Sequence, residues 1–357
     1  MHDWIDTPAA LAALATHCAA QPRIGLDTEF MRVRTYWPEL ALVQVAHAGG
    51  VALVEPSRGL DLAPLAPVLV AATPVLIMHS ASEDLVALAP IARGALGGLF
   101  DTQVAAAFAG LGAGIGYQRL VADVLGVAID KGETRSNWLA RPLSADQLRY
   151  AEADVTHLLP LHDALVARLE SRGMLAWCLE ECGRLAAQAA DPAPPRNAHW
   201  EFRNGWRWPL ERQARLKRLL EWREEAARRV NRPRLWLFDN PTALALVESP
   251  PADTGALSAR LSMQKAFPKR EHAALLELLR APLAAGEADV EPIPEPLRGD
   301  PERTFERLRD AVAARALALD LPPALLASRR VLEDLARTGG SLESLAGWRG
   351  AALSESG

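Results

Sequence analysis

Residues 23–30 read Arg23-Ile24-Gly25-Leu26-Asp27-Thr28-Glu29-Phe30, an apolar strand that closes on two carboxylates two places apart. In an extended chain, residues i and i+2 point to the same face, so Asp27 and Glu29 can converge on one cation. An isolated D-x-E is more often a solvated strand end than a hard-metal site, so the motif needs partners. Around it, 40–46 (LALVQVA), 51–54 (VALV) and 75–79 (VLIMH) are short runs rich in Val, Ile and Leu. With 23–27 they predict strands of one sheet. Stretches at 8–20, 82–92, 102–109, 117–125 and 144–171 carry helical spacing, which predicts an α/β domain with helices packed on that sheet.

The chain has 357 residues, half of them hydrophobic and 23% charged, which suits two or three folded domains and excludes a disordered chain. At Asp191-Pro192-Ala193-Pro194-Pro195 three prolines in four positions stop any helix. The expected organisation is a first domain over 1–190, a linker over 191–207, a small helical domain over 208–285, a Pro-rich linker over 286–300 and a second small helical domain over 301–357. The net charge of −5 hides a split: 13 basic and 20 acidic side chains lie in 1–190, against 26 and 24 in 191–357. The start of the chain lacks the basic and apolar regions of a secretory signal, and no apolar run approaches membrane-span length. Cys18, Cys178 and Cys182 are odd in number and have no framework spacing. Reduced thiols and a cytoplasmic protein are therefore expected.

Two further segments supply candidate partners for Asp27 and Glu29. His79-Ser80-Ala81-Ser82-Glu83-Asp84-Leu85 leaves a strand and opens a helix, which can place Asp84 at the carboxyl ends of the strands. Helix capping by Ser82 and the acidic residues is the alternative reading. Tyr150-Ala151-Glu152-Ala153-Asp154 puts a hydroxyl and a carboxylate one helical turn apart. Each motif alone is weak; all three in order are not.

Their order and surroundings resemble the DEDD exonuclease superfamily, in the branch whose third motif is Tyr-x-x-x-Asp. The likeness extends through Arg34-Thr35-Tyr36-Trp37-Pro38, Asp101-Thr102-Gln103, Asp130-Lys131 and Trp138-Leu139-Ala140-Arg141-Pro142-Leu143, and covers essentially all of 1–190. The resemblance implies a ribonuclease-H-like fold with a mixed sheet, and hydrolysis from a 3′ end releasing 5′-mononucleotides. Asp27, Glu29, Asp84 and Asp154 would hold two divalent ions, Mg²⁺ or Mn²⁺, and Tyr150 would position the attacking water. Thr28, Phe30, His79, Lys131 and Arg135 are candidate substrate contacts. The sequence departs from the family at Asn137, where an Asp is common. Two ions about 3.5–4 Å apart can generate a nucleophile and clamp attacking and leaving oxygens. Tyr150, with an ordinary pKa near ~10, is a poor base and is expected to orient water instead.

Arg212–Arg234 holds nine basic and three acidic side chains around Trp222, a pattern that fits either RNA contact or a solvated helix with Trp222 in the core. Leu219-Leu220-Glu221-Trp222-Arg223 resembles the start of an HRDC domain. Ala327-Ser328-Arg329-Arg330 and Gly347-Trp348-Arg349-Gly350 resemble a second such module. The glycines at 110, 112, 114 and 116 lack G-x-G-x-x-G spacing. Cys178 and Cys182 lack the partners of a zinc set.

The expected substrate is RNA with a free 3′ end, including transfer-RNA precursors, acted on by a monomer without a membrane. A DNA 3′→5′ exonuclease is the second reading, since carboxylate chemistry does not distinguish the sugars. A non-catalytic RNA-binding protein is the third, and the complete carboxylate set argues against it.

Overall fold

The computed structural model describes residues 2–56, 59–129, 136–190, 196–264 and 267–354. They fall into two units, one made of 1–31, 39–191 and 297–357, the other of 32–38 and 192–296.

The first unit is built on six strands: β1 His2–Ile5, β2 Arg23–Met31, β3 Glu39–His47, β4 Gly50–Val54, β5 Val75–Met78 and β6 Leu99–Asp101. Their order is β1-β4-β3-β2-β5-β6. β3 runs antiparallel to β2 and β4, whereas the β1/β4, β2/β5 and β5/β6 pairs are parallel. This is the mixed sheet that the resemblance implied. β1 and β6 were not legible in the sequence, because four and three residues are too few to show a period and β1 begins His2-Asp3. β2 holds the acidic motif inside the sheet, and a register shift against β3 falls between Glu29 and Phe30. Such irregularities re-aim side chains beside active sites. Gly25 is required for space: a Cβ there would lie 3.0 Å from the Cβ of Leu158, so a larger residue would push the helix at 158 off the strand.

The single helix expected over 144–171 is two helices, Ala145–Thr156 and Leu158–Ser171. Pro160 explains the break, since its ring would meet the Thr156 carbonyl in a continuous helix. At the break the His157 N–H donates to the Tyr117 hydroxyl at 3.2 Å. The first helix starts on a capping box between Ser144 and Gln147, an arrangement that satisfies two otherwise orphaned donors.

The C-terminal helices Asp300–Leu319, Arg329–Thr338 and Trp348–Ser354 belong to this first unit, although a separate domain over 301–357 was expected. Between the last two of these helices lies a short 3₁₀ turn, Leu342–Ser344, and the final helix starts at Trp348. Gly347, at φ 65°, takes a left-handed conformation that ends the turn between them. The Trp348 ring packs 4.9 Å from Phe108 and 5.7 Å from Trp177, centroid to centroid. Its indole N–H donates to Glu181, which also accepts from Arg184 and from Arg349 at 2.9 Å. Burial pushes the Glu181 carboxyl up, but the bonds from Arg184, Arg349 and Trp348 outweigh it and hold the group down to about 2.

A folded-state pKa below the unfolded value contributes stability that is complete above the ordinary glutamate range and is lost as pH falls toward about 2. Arg184 is 41% exposed, so solvent screens part of its share. Glu181→Gln is therefore expected to cost about 2 kcal/mol at neutral pH, with the deficit vanishing in acid. Denaturant titrations at pH 7 and pH 3 would show it, and an equal deficit at both would contradict the ion-pair account.

In the second unit, helices Leu210–Val230, Asn240–Glu248, Thr254–Arg260 and His272–Arg280 surround a core that includes Leu216, Leu219, Leu220, Leu246 and Leu275. Trp222 lies on this core, 6.0 Å from Phe267 and 6.5 Å from Phe238. The basic count of its helix overstates its cationic surface. Arg218 is buried and donates to the carbonyls of Leu278, Ala281 and Pro282, and Arg223 to that of Phe238. Residues 32–38, which follow β2, belong here. Tyr36 donates its hydroxyl proton to Glu224, and Asn231 Oδ1 accepts from the backbones of Tyr36 and Trp37 at 3.0 and 3.1 Å. No helix among the described residues is long and apolar enough to cross a membrane.

Candidate metal centre

The carboxylates of Asp27, Glu29 and Asp154 converge, with one oxygen from each lying within 4.8 Å of the others. Strand geometry supplies the first two, and the helix Ala145–Thr156 brings Asp154 over β2. Asp84, in the first turn of the helix Ser82–Ala92, joins the group electrostatically, because its charge acts on Asp27 and Glu29. It is 8% exposed, and its Oδ1 accepts the Thr28 hydroxyl at 2.5 Å.

The electrostatics are those of anions crowded together. Burial, then the charges of Asp84, Asp154 and Glu29, raise the Asp27 carboxyl well above the usual range. Burial, then Asp154 and Asp84, push Glu29 up to about 8. Burial raises Asp154 to about 7 against the opposing bond from Tyr150, and raises Asp84 to about 6 against the bonds from Thr28. A cluster of buried and half-buried carboxylates that raise one another is short of positive charge. A hard divalent cation suits this all-oxygen donor set, which lacks the nitrogen and sulfur that softer ions prefer.

Tyr150 donates to Asp154, and burial followed by the carboxylates keeps its hydroxyl protonated well above the ordinary tyrosine range. Its ring lies 6.0 Å from that of Trp138, which is 4% exposed. Arg141 anchors the Trp138 loop. Its guanidinium pairs with the buried Glu55 and donates to the carbonyls of Trp138 at 2.7 Å and Ala41 at 2.8 Å. Asn137, the departure from the family pattern, accepts from the Leu139 N–H at 3.2 Å and so caps the turn of this loop.

The candidate substrate contacts are placed differently from one another. Thr28 is buried and its hydroxyl is given to Asp84. Phe30 is half-buried just past the register shift. His79 bonds Thr102 Oγ1 through Nδ1 at 2.9 Å and packs 5.5 Å from Tyr117. Lys131 and Arg135 lie outside the described residues.

Two neighbours of the cluster escaped the sequence reading. Gln44 stands opposite Asp27 in the β2/β3 register, fully buried, with Nε2 3.5 Å from Asp27 Oδ2. Its signal was a lone polar residue inside the apolar run LALVQVA. Tyr117 donates its hydroxyl proton to the Ala153 carbonyl at 3.4 Å while accepting from His157, beside Asp154. Nothing local marked it.

Comparison with known proteins identifies the family. Residues 2–170 match the 3′-5′ exonuclease family and residues 212–279 the HRDC domain. The chain is 42% identical over 355 residues to ribonuclease D of Xanthomonas oryzae pv. oryzae, covering 99% of this chain and 96% of that one. It is 36% identical over 353 residues to ribonuclease D of Pseudomonas paraeruginosa, covering 97% and 94%. The crystal structure of Escherichia coli RNase D, described as an exoribonuclease involved in structured RNA processing, superposes with a TM-score of 0.82 at 29% identity, covering 99% of this chain and 96% of that one. With full-length identity at this level, the chain belongs to the ribonuclease D family of 3′→5′ exoribonucleases.

Proposed function

We propose that this chain shortens RNA from a free 3′ end and releases 5′-mononucleotides, with Asp27, Glu29, Asp84 and Asp154 holding two divalent ions, Mg²⁺ or Mn²⁺. The observation that carries the reading is the convergence of three carboxylates within 4.8 Å under a Tyr150 hydroxyl bonded to Asp154. The ions, when bound, supply an activated water and charge stabilisation at the phosphate. The chain's own residues do the rest. Asp27 and Glu29 fix the floor of the site from β2, Asp84 and Asp154 close it from two helices, and Thr28 orients Asp84. Tyr150, held protonated, offers a directed hydroxyl to the attacking water and leaves the proton to another acceptor.

In the cell this activity would serve 3′ maturation of structured RNAs, transfer-RNA precursors among them, with the protein acting as a cytoplasmic monomer. Its three cysteines are free and buried, which suits a reducing compartment. RNA and DNA of matched sequence, labelled at the 5′ end and incubated with Mg²⁺, Mn²⁺ or EDTA, test the reading. Ladder-like shortening of RNA that stops in EDTA is the expected result. Shortening of DNA instead, or turnover in EDTA, would refute it.

A further inference from the structure

The helix that carries Asp84 lacks a cap of its own. Its N-cap position is Ala81, which has no side-chain acceptor, and the turn before it holds Ser80 at φ 57°, a left-handed conformation that few non-glycine residues adopt. The N–H groups of the turn that leads into the helix, up to its N-cap, still need acceptors. The acceptor comes from β6. Asp101 takes the Ser80 N–H on Oδ1 at 3.1 Å and the Ala81 N–H on Oδ2 at 2.8 Å. As N-cap of its own helix, Thr102–Phe108, it also takes the N–H groups of Gln103 at 2.8 Å and Val104 at 3.3 Å on Oδ1. One carboxylate, 2% exposed, thus ties down the starts of two helices.

We propose that Asp101 is a positioning residue for the ion site: by capping the Asp84 helix from the neighbouring strand, it sets the depth and rotation at which Asp84 enters the carboxylate cluster, and hence the affinity for the ions. Asp84 sits three residues after Ala81, within the first turn, so a shift of the helix start moves its carboxylate directly. The same shift would break the 2.5 Å bond from Thr28. This inference rests on the reading of Asp84 as an ion ligand.

Two substitutions separate the cap that Asp101 gives its own helix from the one it gives the Asp84 helix. Asp101→Asn keeps Oδ1 and its three acceptor bonds but turns the oxygen facing Ala81 into a donor. Asp101→Ser keeps a good N-cap for Thr102–Phe108 and is too short to reach Ala81. Both are expected to raise the divalent-ion concentration for half-maximal RNA hydrolysis by about 10-fold or more. High ion concentration should restore most of the turnover, and the rise in Tm that subsaturating Mg²⁺ or Mn²⁺ gives the protein should shrink in parallel. Should Asp101→Asn fail to fold, Asp101→Ser carries the test. Glu181→Gln, which weakens the same unit far along the chain, should lower Tm without moving the ion requirement. If folded Asp101 variants lose only stability and keep the wild-type ion response, the inference is overturned. Asp84→Asn distinguishes the underlying reading: a wild-type ion response in that variant would remove Asp84 from the ion site, whereas its loss alongside intact Asp101 variants would overturn the Asp101 role alone.

Discussion

Replacing Asp27 by Asn is expected to lower RNA hydrolysis by roughly 10³-fold or more while raising the Tm of the metal-free protein by roughly 2–4 °C. The two effects have one origin. Asp27 is half-buried by accessible surface, and its desolvation, then the charges of Asp84, Asp154 and Glu29, drives its carboxyl far above the usual range. In the absence of ions the fold carries that charge cluster as a liability, because taking up protons that the unfolded chain would release costs free energy at neutral pH. Asn has the same shape and no charge, so it removes the liability together with the affinity for cations. The Tm gain produced by Mg²⁺ or Mn²⁺ in the wild type should accordingly be lost. Calorimetry with and without EDTA, beside a single-turnover assay, reads all three quantities. A variant that hydrolyses RNA normally would dissolve the proposed site. One that is less stable without ions would show that Asp27 holds the fold together instead of straining it.

Tyr150→Phe should reduce kcat by about 10²-fold, with KM and ion requirement changed only a few-fold. Phe keeps the ring beside Trp138 and removes only the hydroxyl that bonds Asp154. Losing that bond lets the Asp154 carboxyl rise further, since Tyr150 opposes its upward shift, which weakens cation binding slightly. The larger effect falls on the water that the hydroxyl directs. If the ion requirement rose 100-fold while kcat at saturation stayed normal, Tyr150 would be a support for Asp154 and not a guide for water.

Much of this could be read from short-range pattern. Period two placed Asp27 and Glu29 on one face, and period 3.6 placed Tyr150 above Asp154; both are properties of a single element. The break at His157 was missed although Pro160 signals it, because the polar and apolar spacing continues on either side. What stayed hidden depends on residues far apart in the chain. β6 is three residues long and exists through its pairing with β5. Arg218 and Arg223 look like surface charge until their partners appear beyond residue 237. Arg349 meets Glu181 across 168 positions, and no local window contains both.

That last distance has a meaning for how the enzyme comes into being. A polypeptide emerges from the ribosome N-terminus first, and its domains tend to close in that order. Here the rings of Phe108 and Trp177 pack against Trp348, which is made late. The carboxylates are all translated by residue 154, yet the unit that holds them is finished almost two hundred residues later. A message cut short before that point would yield a chain with every reactive group in place and an aromatic face left open, an easy target for proteolysis before it could degrade RNA.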